Sequence, residues 1–268
     1  AVSGLKPSRS IDKWNKKILV RGVTMLHDKC DYVIAPSHKI EKQLLSWHTT
    51  APIRVLPTGV DKITTNQRAV TLFRHRHGIE DHEKVLLFVG RLGSEKNIEL
   101  ILSSMPHVLK QVPHTKLVLV GRHEHQTKLE KMAQDLDISH KVVFTGFIEH
   151  DKLGSVYEAS DVFVFPSKTD TQGLVLHEAA NSGLPIVMVD KDITEVVKDG
   201  VNGYIVRSSA KEMAKKIIAI LHDDALHKSM SEASSRMAAK YSVEHQTILL
   251  EKLYESAISA HKRAKQLP

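Results

Sequence analysis

Two carboxylates stand out in the stretch SKTDTQGLVLHEAANSGLP, residues 167–185. Asp170 and Glu178 lie among apolar and small residues, where an ionised carboxylate without a partner is costly. Glu178 falls about one turn into the predicted helix LVLHEAANS, where it can accept two hydrogen bonds from a vicinal diol such as a ribose. Asp170 can face the other end of the same ligand. Each acid also has a structural explanation, Asp170 as a turn or helix-capping residue and Glu178 as a buried acid bonded to neighbouring backbone.

Basic residues precede these acids in the segment GRLGSEKN, residues 90–97. Arg91 supplies a planar fork and Lys96 a point charge, and both suit phosphate oxygens. The two glycines of the segment let the backbone approach an anion, although the spacing is not that of a Walker loop. A turn followed by a solvated Glu95–Lys96 pair would explain the same residues without a ligand.

A third element of a phosphate site is the start of the helix LVLHEAANS. Gly173 directly precedes it, and the free N–H groups and dipole of a helix N-terminus favour phosphate. The sequence HEAAN, residues 177–181, resembles the HExxH of zinc proteases, but Asn181 replaces the second His, so we expect no zinc site. The sequence RHRH, residues 74–77, indicates a solvated basic turn.

The elements that position these residues are six short apolar runs that alternate with longer helical patterns. Each run is almost continuously apolar, which is typical of strands covered on both faces. The alternation predicts an α/β fold with a doubly wound, Rossmann-like parallel sheet, in which ligands bind beyond the carboxyl ends of the strands. The runs are KVLLFVG (84–90), TKLVLVG (115–121), KVVFTG (141–146), DVFVFPS (161–167), LPIVMV (184–189) and GYIV (203–206).

The first sixty residues follow a different pattern. A basic amphipathic helix is predicted over residues 11–29, with Ile11, Trp14 and Ile18 on one face and Lys13, Lys16 and Lys17 near the other. A strand, a helix and a strand follow, which predicts a partial second Rossmann-like domain at the N-terminus. After residue 208 the pattern is helical to the end, broken at Tyr241 and Ser242. The predicted segments are 1–60, a linker at 61–72, an α/β domain at 73–240 and a C-terminal helix at 241–268.

Composition narrows the class of protein. The chain has 268 residues, of which 41% are hydrophobic, and a net charge of +7. Residues 1–60 hold ten Lys and Arg against four Asp and Glu, while the rest is close to neutral and only 5% of residues are aromatic. This pattern argues against a nucleic-acid partner. A lone Cys30 cannot form an internal disulfide, which favours the cytoplasm. No apolar run approaches the roughly 20 residues that a membrane span needs. The start at Ala1 indicates a fragment or a processed product.

Together these segments resemble the donor domain of retaining nucleotide-sugar glycosyltransferases of the GT-B family. GRLGSEKN resembles the family's phosphate-binding Arg and Lys segment, and DTQGLVLHEA resembles its pair of acids separated by seven residues. SGLPIV and EVVKDGVNGYIV resemble the segment that follows. CDYVIAPS and IRVLPTGVD resemble the end of the acceptor domain and the interdomain linker. The sequence TQG, residues 171–173, is similar to the corresponding sequence in the bacterial members of the family that glucosylate diacylglycerol.

The resemblance implies which residues bind the nucleotide-diphosphate sugar. Glu178 would bind the ribose hydroxyls, and Ile148 would meet the base through its backbone. Backbone N–H groups around Gly173, Leu174 and Val175 would hold the sugar and the distal phosphate. Residues 73–240 would then be the donor-binding domain, and residues 1–60 a remnant of the acceptor domain.

The resemblance also implies the catalytic residues. Arg91 and Lys96 would bind the diphosphate and offset the charge on the leaving nucleotide, and Asp170 would contact the donor sugar and support positive charge at its anomeric carbon. Fixed positive charges of this kind make a metal or another cofactor unnecessary. The family usually has Glu at the position of Asp170, which is shorter by about 1.5 Å. Val189 stands where the family carries an Arg, in a shortened segment at 188–195.

Two functions therefore stay open at this stage. The chain is the donor half of a transferase that moves a hexose, with UDP-linked glucose expected, to an unidentified acceptor that could be a lipid. Alternatively, it is a nucleotide-sugar-binding module without turnover. The basic residues 11–29 would rest on an anionic membrane surface at the inner face of the membrane, or form the last helix of the acceptor domain. A dinucleotide-dependent dehydrogenase is disfavoured because GRLGSE lacks the GxGxxG pattern.

Overall fold

The computed structural model describes residues 9–193 and 195–266, with side chains described for 17–193 and 195–263. The chain divides into two compact units, residues 58–246 and residues 1–57 together with 247–268. The domain boundaries drawn from the sequence stay predictions. The strands are β1 (Val33–Ala35), β2 (Ile53–Val55), β3 (Lys84–Val89), β4 (Thr115–Val120), β5 (Val142–Gly146), β6 (Val162–Phe165), β7 (Ile186–Met188) and β8 (Gly203–Ile205). The α-helices are α1 (Arg9–His27), α2 (His38–Ser46), α3 (Gln67–Arg76), α4 (Ile98–Leu109), α5 (Gln126–Asp135), α6 (Leu153–Glu158), α7 (Leu174–Asn181), α8 (Ala210–His222), α9 (Asp224–Ala238) and α10 (Val243–Gln266).

The larger unit is built on a parallel sheet with the strand order β5-β4-β3-β6-β7-β8. Every neighbouring pair is parallel, with Phe88 beside Leu119 in the β3–β4 register and Leu87 beside Phe163 in the β3–β6 register. This confirms the doubly wound parallel sheet. The strand order reverses between β3 and β6, which is where a sheet of this kind opens a crevice at its carboxyl edge.

Apolar side chains explain why the predicted runs form the centre of this sheet. Phe88, Phe163 and Phe165 are almost completely buried, as expected for strands covered by helices on both faces. Helix α4 adds a stripe of buried side chains at helical spacing, and it packs against α8. Burial of apolar surface, at roughly 25 cal/mol per Å², is the main stabilising contribution to this unit.

The sequence RHRH does not form a solvated turn. It begins in the last turn of α3, where Arg74 donates to the carbonyl oxygens of Ala159 (2.8 Å), Glu80 (2.6 Å) and Glu83 (2.8 Å). The prediction was wrong because a charged run gives no sign that one of its members bonds to backbone carbonyl groups outside its own helix. Helix α3 itself begins at Gln67, inside the segment predicted as a linker, and Asn66 caps it by accepting from the Ala69 N–H at 3.0 Å.

The C-terminal helical region contains a break that the sequence pattern did not predict. Helices α8 and α9 are separate, and Asp223 ends the first and caps the second by accepting from the Leu226 N–H at 2.9 Å. The predicted break at Tyr241 and Ser242 is confirmed, since α10 begins at Val243.

The smaller unit contains the parallel pair β1–β2, with Val33 beside Ile53. Its core is small, with Ala35, Leu44 and Ala51 among the buried residues. This agrees with the predicted partial Rossmann-like domain. No helix of the described residues is long and apolar enough to cross a membrane.

The predicted basic helix at 11–29 lies largely within α1. In this helix Ile18 is exposed, as are Leu19, Met25 and Leu26. The side chains of Ile11, Lys13, Trp14 and Lys16 fall outside the described residues, so the two faces proposed for this helix stay a prediction.

Candidate functional site

Two loops meet at the point where the strand order reverses. One follows β3 and holds the segment GRLGSEKN, and the other follows β6 and holds Asp170. The Asn97 side-chain amide donates to the carbonyl oxygen of Pro166 at 3.4 Å, and the Thr169 hydroxyl donates to the carbonyl oxygen of Glu95 at 3.4 Å. These contacts tie the two predicted ligand-binding loops to each other at the carboxyl edge of the sheet.

The tightest contact between the loops is an ion pair. Lys96 Nζ lies 2.7 Å from Asp170 Oδ1, and the two side chains are 18% and 19% exposed. Lys96 ends a single 3-10 turn, Ser94–Lys96, and Asn97 follows it in a left-handed conformation with φ 56°, which starts α4. Shielding from water strengthens an interaction of this kind relative to a surface pair.

Arg91 occupies a more open position than Lys96. Its Nη2 lies 2.5 Å from Glu95 Oε1, and the Arg91 side chain is 63% exposed. The Glu95 backbone amide and the Arg91 guanidinium hold the pKa of Glu95 below its ordinary value. The two predicted phosphate-binding cations are therefore each beside a carboxylate, Arg91 beside Glu95 and Lys96 beside Asp170.

Helix α7 begins directly after the Asp170 loop. Gly173 is its N-cap with φ 71°, a left-handed conformation that glycine adopts without strain, and its carbonyl oxygen accepts from the Leu176 N–H at 2.8 Å. The N–H groups of the first helical residues, Leu174 and Val175, have no acceptor within the helix. Leu174 is exposed, whereas Val175 is half-buried.

Gln172 holds the segment 58–60 beside this helix, and the segment forms one wall of a cleft. Its side chain is almost fully buried, its oxygen accepts from the Thr58 N–H at 3.1 Å, and its nitrogen donates to the Thr58 carbonyl oxygen at 3.2 Å. The Asn181 amide donates to the carbonyl oxygen of Val60 at 2.7 Å. The segment 58–60 is thus held along α7 at both ends of the helix.

This wall and α7 enclose a cleft of about 520 Å³, whose lining includes Leu174, Glu178, His150 and residues 58–64. Glu178 lines this cleft and is itself buried, with 9% of its surface exposed. The Tyr157 hydroxyl donates to Glu178 Oε2 at 2.6 Å, and His150 Nε2 lies 3.4 Å from Glu178 Oε1. A carboxylate that lines a cleft and is held by a hydrogen bond from a buried tyrosine is suited to accept further hydrogen bonds from a hydroxylated ligand.

Ile148 lies in a different place. It is half-buried and lines a separate groove of about 560 Å³, together with residues such as Leu72, Phe73 and Phe147. Its side chain is not part of the lining of the cleft that contains Glu178. The predicted role concerns the Ile148 backbone and stays a prediction.

The other candidate constellations of the sequence do not form a metal site in the part of the chain whose side chains are described. Among residues 17–193 and 195–263, no three His, Cys, Asp or Glu side chains are grouped as metal ligands. His177 of HEAAN is completely buried, with its ring edge-on to Tyr241 at a centroid distance of 5.1 Å. Val189, which replaces the Arg expected from the family, is also buried, and its N–H donates to Phe165 O at 3.1 Å. Whether the chemistry needs a metal stays a prediction.

The sequence analysis predicted no role for three residues of this region, Tyr157, His150 and Gln172. Tyr157 and His150 contact Glu178 from a different element, and no local spacing relates them to it. Gln172 lies inside the quoted motif, but nothing in the sequence distinguishes its buried amide from the exposed Thr171 beside it. Polar side chains of this kind are found only when their burial and partners are known.

Known proteins resemble the chain over most of its length. The family described as "Glycosyl transferases group 1" matches residues 70–237. The alpha-monoglucosyldiacylglycerol synthase of Streptococcus pneumoniae is 36% identical over 176 residues, which cover 64% of this chain and 39% of that protein. The sulfoquinovosyl transferase SQD2 of Arabidopsis thaliana is 30% identical over 238 residues, covering 85% of this chain and 45% of that protein.

Solved structures agree with the fold. The HepE protein of Anabaena in complex with UDP and glucose has a TM-score of 0.80 and 20% identity, covering 90% of this chain and 67% of that one. Sucrose-phosphate synthase of Thermosynechococcus elongatus has a TM-score of 0.79 and 25% identity, covering 90% and 62%. The chain spans about half the length of the curated relatives it matches, from 39% to 47% for the first three. With residues 70–237 matching the family, the chain belongs to the group 1 glycosyl transferases, which are enzymes of the GT-B fold.

Proposed function

We propose that this chain is the donor-binding half of a retaining hexosyltransferase that uses UDP-glucose and glucosylates a lipid. The observation that carries the proposal is the Lys96–Asp170 pair of 2.7 Å at the crevice where the strand order reverses. A cation and a carboxylate at this position match the two charges that develop when a glycosyl bond to a diphosphate breaks.

In the proposed reaction, the bond between the anomeric carbon and the β-phosphate oxygen breaks, and the electron pair leaves with UDP. Lys96 and Arg91 stabilise the added negative charge on the diphosphate. Asp170 stabilises the positive charge on the anomeric carbon. The acceptor hydroxyl attacks the same face, forms the new C–O bond and gives its proton to the departing β-phosphate oxygen of UDP. The product keeps the α configuration of the donor, which fits the names of relatives that make alpha-monoglucosyldiacylglycerol.

The ligand is proposed to extend from this pair along α7. The distal phosphate and sugar lie at the N–H groups of Gly173, Leu174 and Val175, and the ribose lies at Glu178. The proposed uridine base meets the backbone of Ile148. This arrangement is supported by the order of the residues on α7, since Gly173 begins the helix and Glu178 lies in its second turn.

Calorimetric titration of UDP and UDP-glucose tests the donor site. We expect Lys96→Ala to weaken UDP binding by about 10- to 100-fold, because a hydrogen bond to a charged group contributes roughly 1.5–3 kcal/mol. Glu178→Ala should weaken it by a similar factor. The control is Lys110→Ala, which changes an exposed lysine at the other end of α4. If neither site variant alters UDP affinity, the donor site lies elsewhere.

Transfer itself is tested on the full gene product with labelled UDP-glucose and vesicles that contain diacylglycerol. We expect glucosylated lipid from the wild type and a loss of at least 100-fold with Asp170→Asn, in line with the loss of one electrostatic contact to a transition state. Nucleotide binding without any transfer would instead favour the binding module, which the shorter Asp170 makes the second candidate.

A further inference from the structure

Glu178 uses its two carboxylate oxygens differently. Oε2 accepts the hydroxyl of Tyr157 at 2.6 Å, whereas Oε1 lies 3.4 Å from Nε2 of His150. Tyr157 is fully buried, and the His150 side chain is 72% exposed where it lines the cleft. One oxygen is therefore bound to the core, and the other is on the side of the cleft.

The surroundings of Tyr157 leave its hydroxyl little freedom. The ring lies in α6 and packs against the ring of Phe163 in β6, with a centroid distance of 6.0 Å. Burial and the neighbouring Glu178 raise the pKa of Tyr157 well above its ordinary value, so the phenol keeps its proton. It is therefore a permanent hydrogen-bond donor to the carboxylate.

A carboxylate with 10% of its side chain exposed needs such a donor. Desolvation penalises the charged form, and a short charge-assisted hydrogen bond compensates part of that cost. The same bond selects one rotamer, because turning Glu178 away would leave both a buried phenol and a buried carboxylate oxygen without their partner.

We propose that Tyr157 is a positioning residue that fixes Glu178 for the ribose hydroxyls and thereby sets a preference for ribonucleotide over 2′-deoxyribonucleotide donors. The inference rests on the proposed function, since it takes the ribose to lie at Glu178. A carboxylate held in one orientation can bind the two hydroxyls of a ribose together, which a mobile carboxylate does less well.

The test compares UDP with 2′-deoxy-UDP by calorimetry in the wild type, Tyr157→Phe and Glu178→Gln. In the wild type we expect about tenfold tighter binding of UDP, which is the lower end of what one hydrogen bond to a charged group contributes. Tyr157→Phe should reduce this preference to about threefold or less, because it weakens binding of UDP, which offers Glu178 two hydroxyls, more than binding of 2′-deoxy-UDP, which offers one. A purely structural role would weaken both nucleotides equally.

The matched control is Tyr204→Phe, which removes a hydroxyl from β8, where the ring contacts Lys216. It should keep the wild-type preference. Circular dichroism checks that each variant is folded, and Tyr157→Met provides a second variant without the hydroxyl if Tyr157→Phe does not fold.

The outcomes separate the two proposals. If Glu178→Gln abolishes the ribose preference but Tyr157→Phe and Tyr157→Met keep it, the positioning role is overturned and the donor site stands. If Glu178→Gln alters neither affinity, or UDP does not bind, the proposed function fails and the positioning role fails with it.

Discussion

Lys96 and Asp170 meet at 2.7 Å across the junction of β3 and β6, and each side chain is less than one-fifth exposed. In the proposed complex both have a second task, because Lys96 binds the diphosphate and Asp170 the sugar. The carboxylate is then both a partner of the lysine and a repulsive neighbour of the phosphate. We therefore expect the Asp170 carboxylate to weaken the binding of UDP and to accelerate the transfer of the sugar.

We expect Asp170→Asn to bind UDP more tightly than the wild type, by about 3- to 10-fold. Removing one negative charge close to a diphosphate relieves roughly 1 kcal/mol of repulsion after partial screening. Asp170→Glu keeps the charge and should stay within about twofold of the wild type. Calorimetry with UDP at low salt measures both, with Asp135→Asn, an exposed site in α5, as the control. Weaker UDP binding in Asp170→Asn would mean that the pair serves to hold Lys96 in place.

Gln172 is expected to stabilise the wall of the cleft. Its amide is almost fully buried and makes two hydrogen bonds to the backbone of Thr58, at 3.1 and 3.2 Å. Gln172→Leu has a similar volume but leaves the two Thr58 groups without this partner, which should lower the free energy of unfolding by about 1–3 kcal/mol. Urea denaturation at pH 7.5 measures the change.

The control for this variant is Gln134→Leu, at an exposed position of α5, where we expect a change within about 0.5 kcal/mol. UDP affinity supplies a second readout, since residues 58–64 line the cleft with Glu178. Unchanged stability in Gln172→Leu would show that segment 58–60 is held by its other contacts.

The sheet was predictable from the sequence because its strands are buried on both faces. The runs that form β3 and β4 could be recognised as buried strands from their apolar side chains alone. Their alternation with helices predicted that they lie in a parallel sheet. The loops that contain Lys96 and Asp170 were predictable for a related reason, as residues after parallel strands share one edge of the sheet.

Contacts between distant polar residues could not be predicted in this way. Arg74 reaches three backbone carbonyls, and Tyr157 reaches Glu178, through side-chain directions that no sequence period encodes. The break at Asp223 was missed for a different reason, since a capping Asp inside a long helical pattern looks the same as a solvated one. Sequence periodicity identifies which face is buried, but not which polar group is satisfied there.

His177 gives the unit an expected sensitivity to acid. It is completely buried, and neither ring nitrogen has a hydrogen-bond partner within the part of the chain that the structure describes. Burial lowers the pKa of His177 from 6.5 to about 4. Between these values the unfolded chain binds a proton that the folded protein does not, so stability falls as the pH falls through this window and is fully present above it.

We therefore expect the wild type to lose about 2 kcal/mol of unfolding free energy at pH 5, and about 3 kcal/mol at pH 4, through this residue alone. His177→Leu removes the titrating ring, so the difference between wild type and variant should change by these amounts between pH 7.5 and pH 4. Urea denaturation across the range measures it, with His107→Leu, an exposed site, expected to follow the wild type. Parallel pH profiles for wild type and His177→Leu would mean that the ring is hydrated in the folded protein, because a ring nitrogen bonded to water would titrate close to its ordinary pKa.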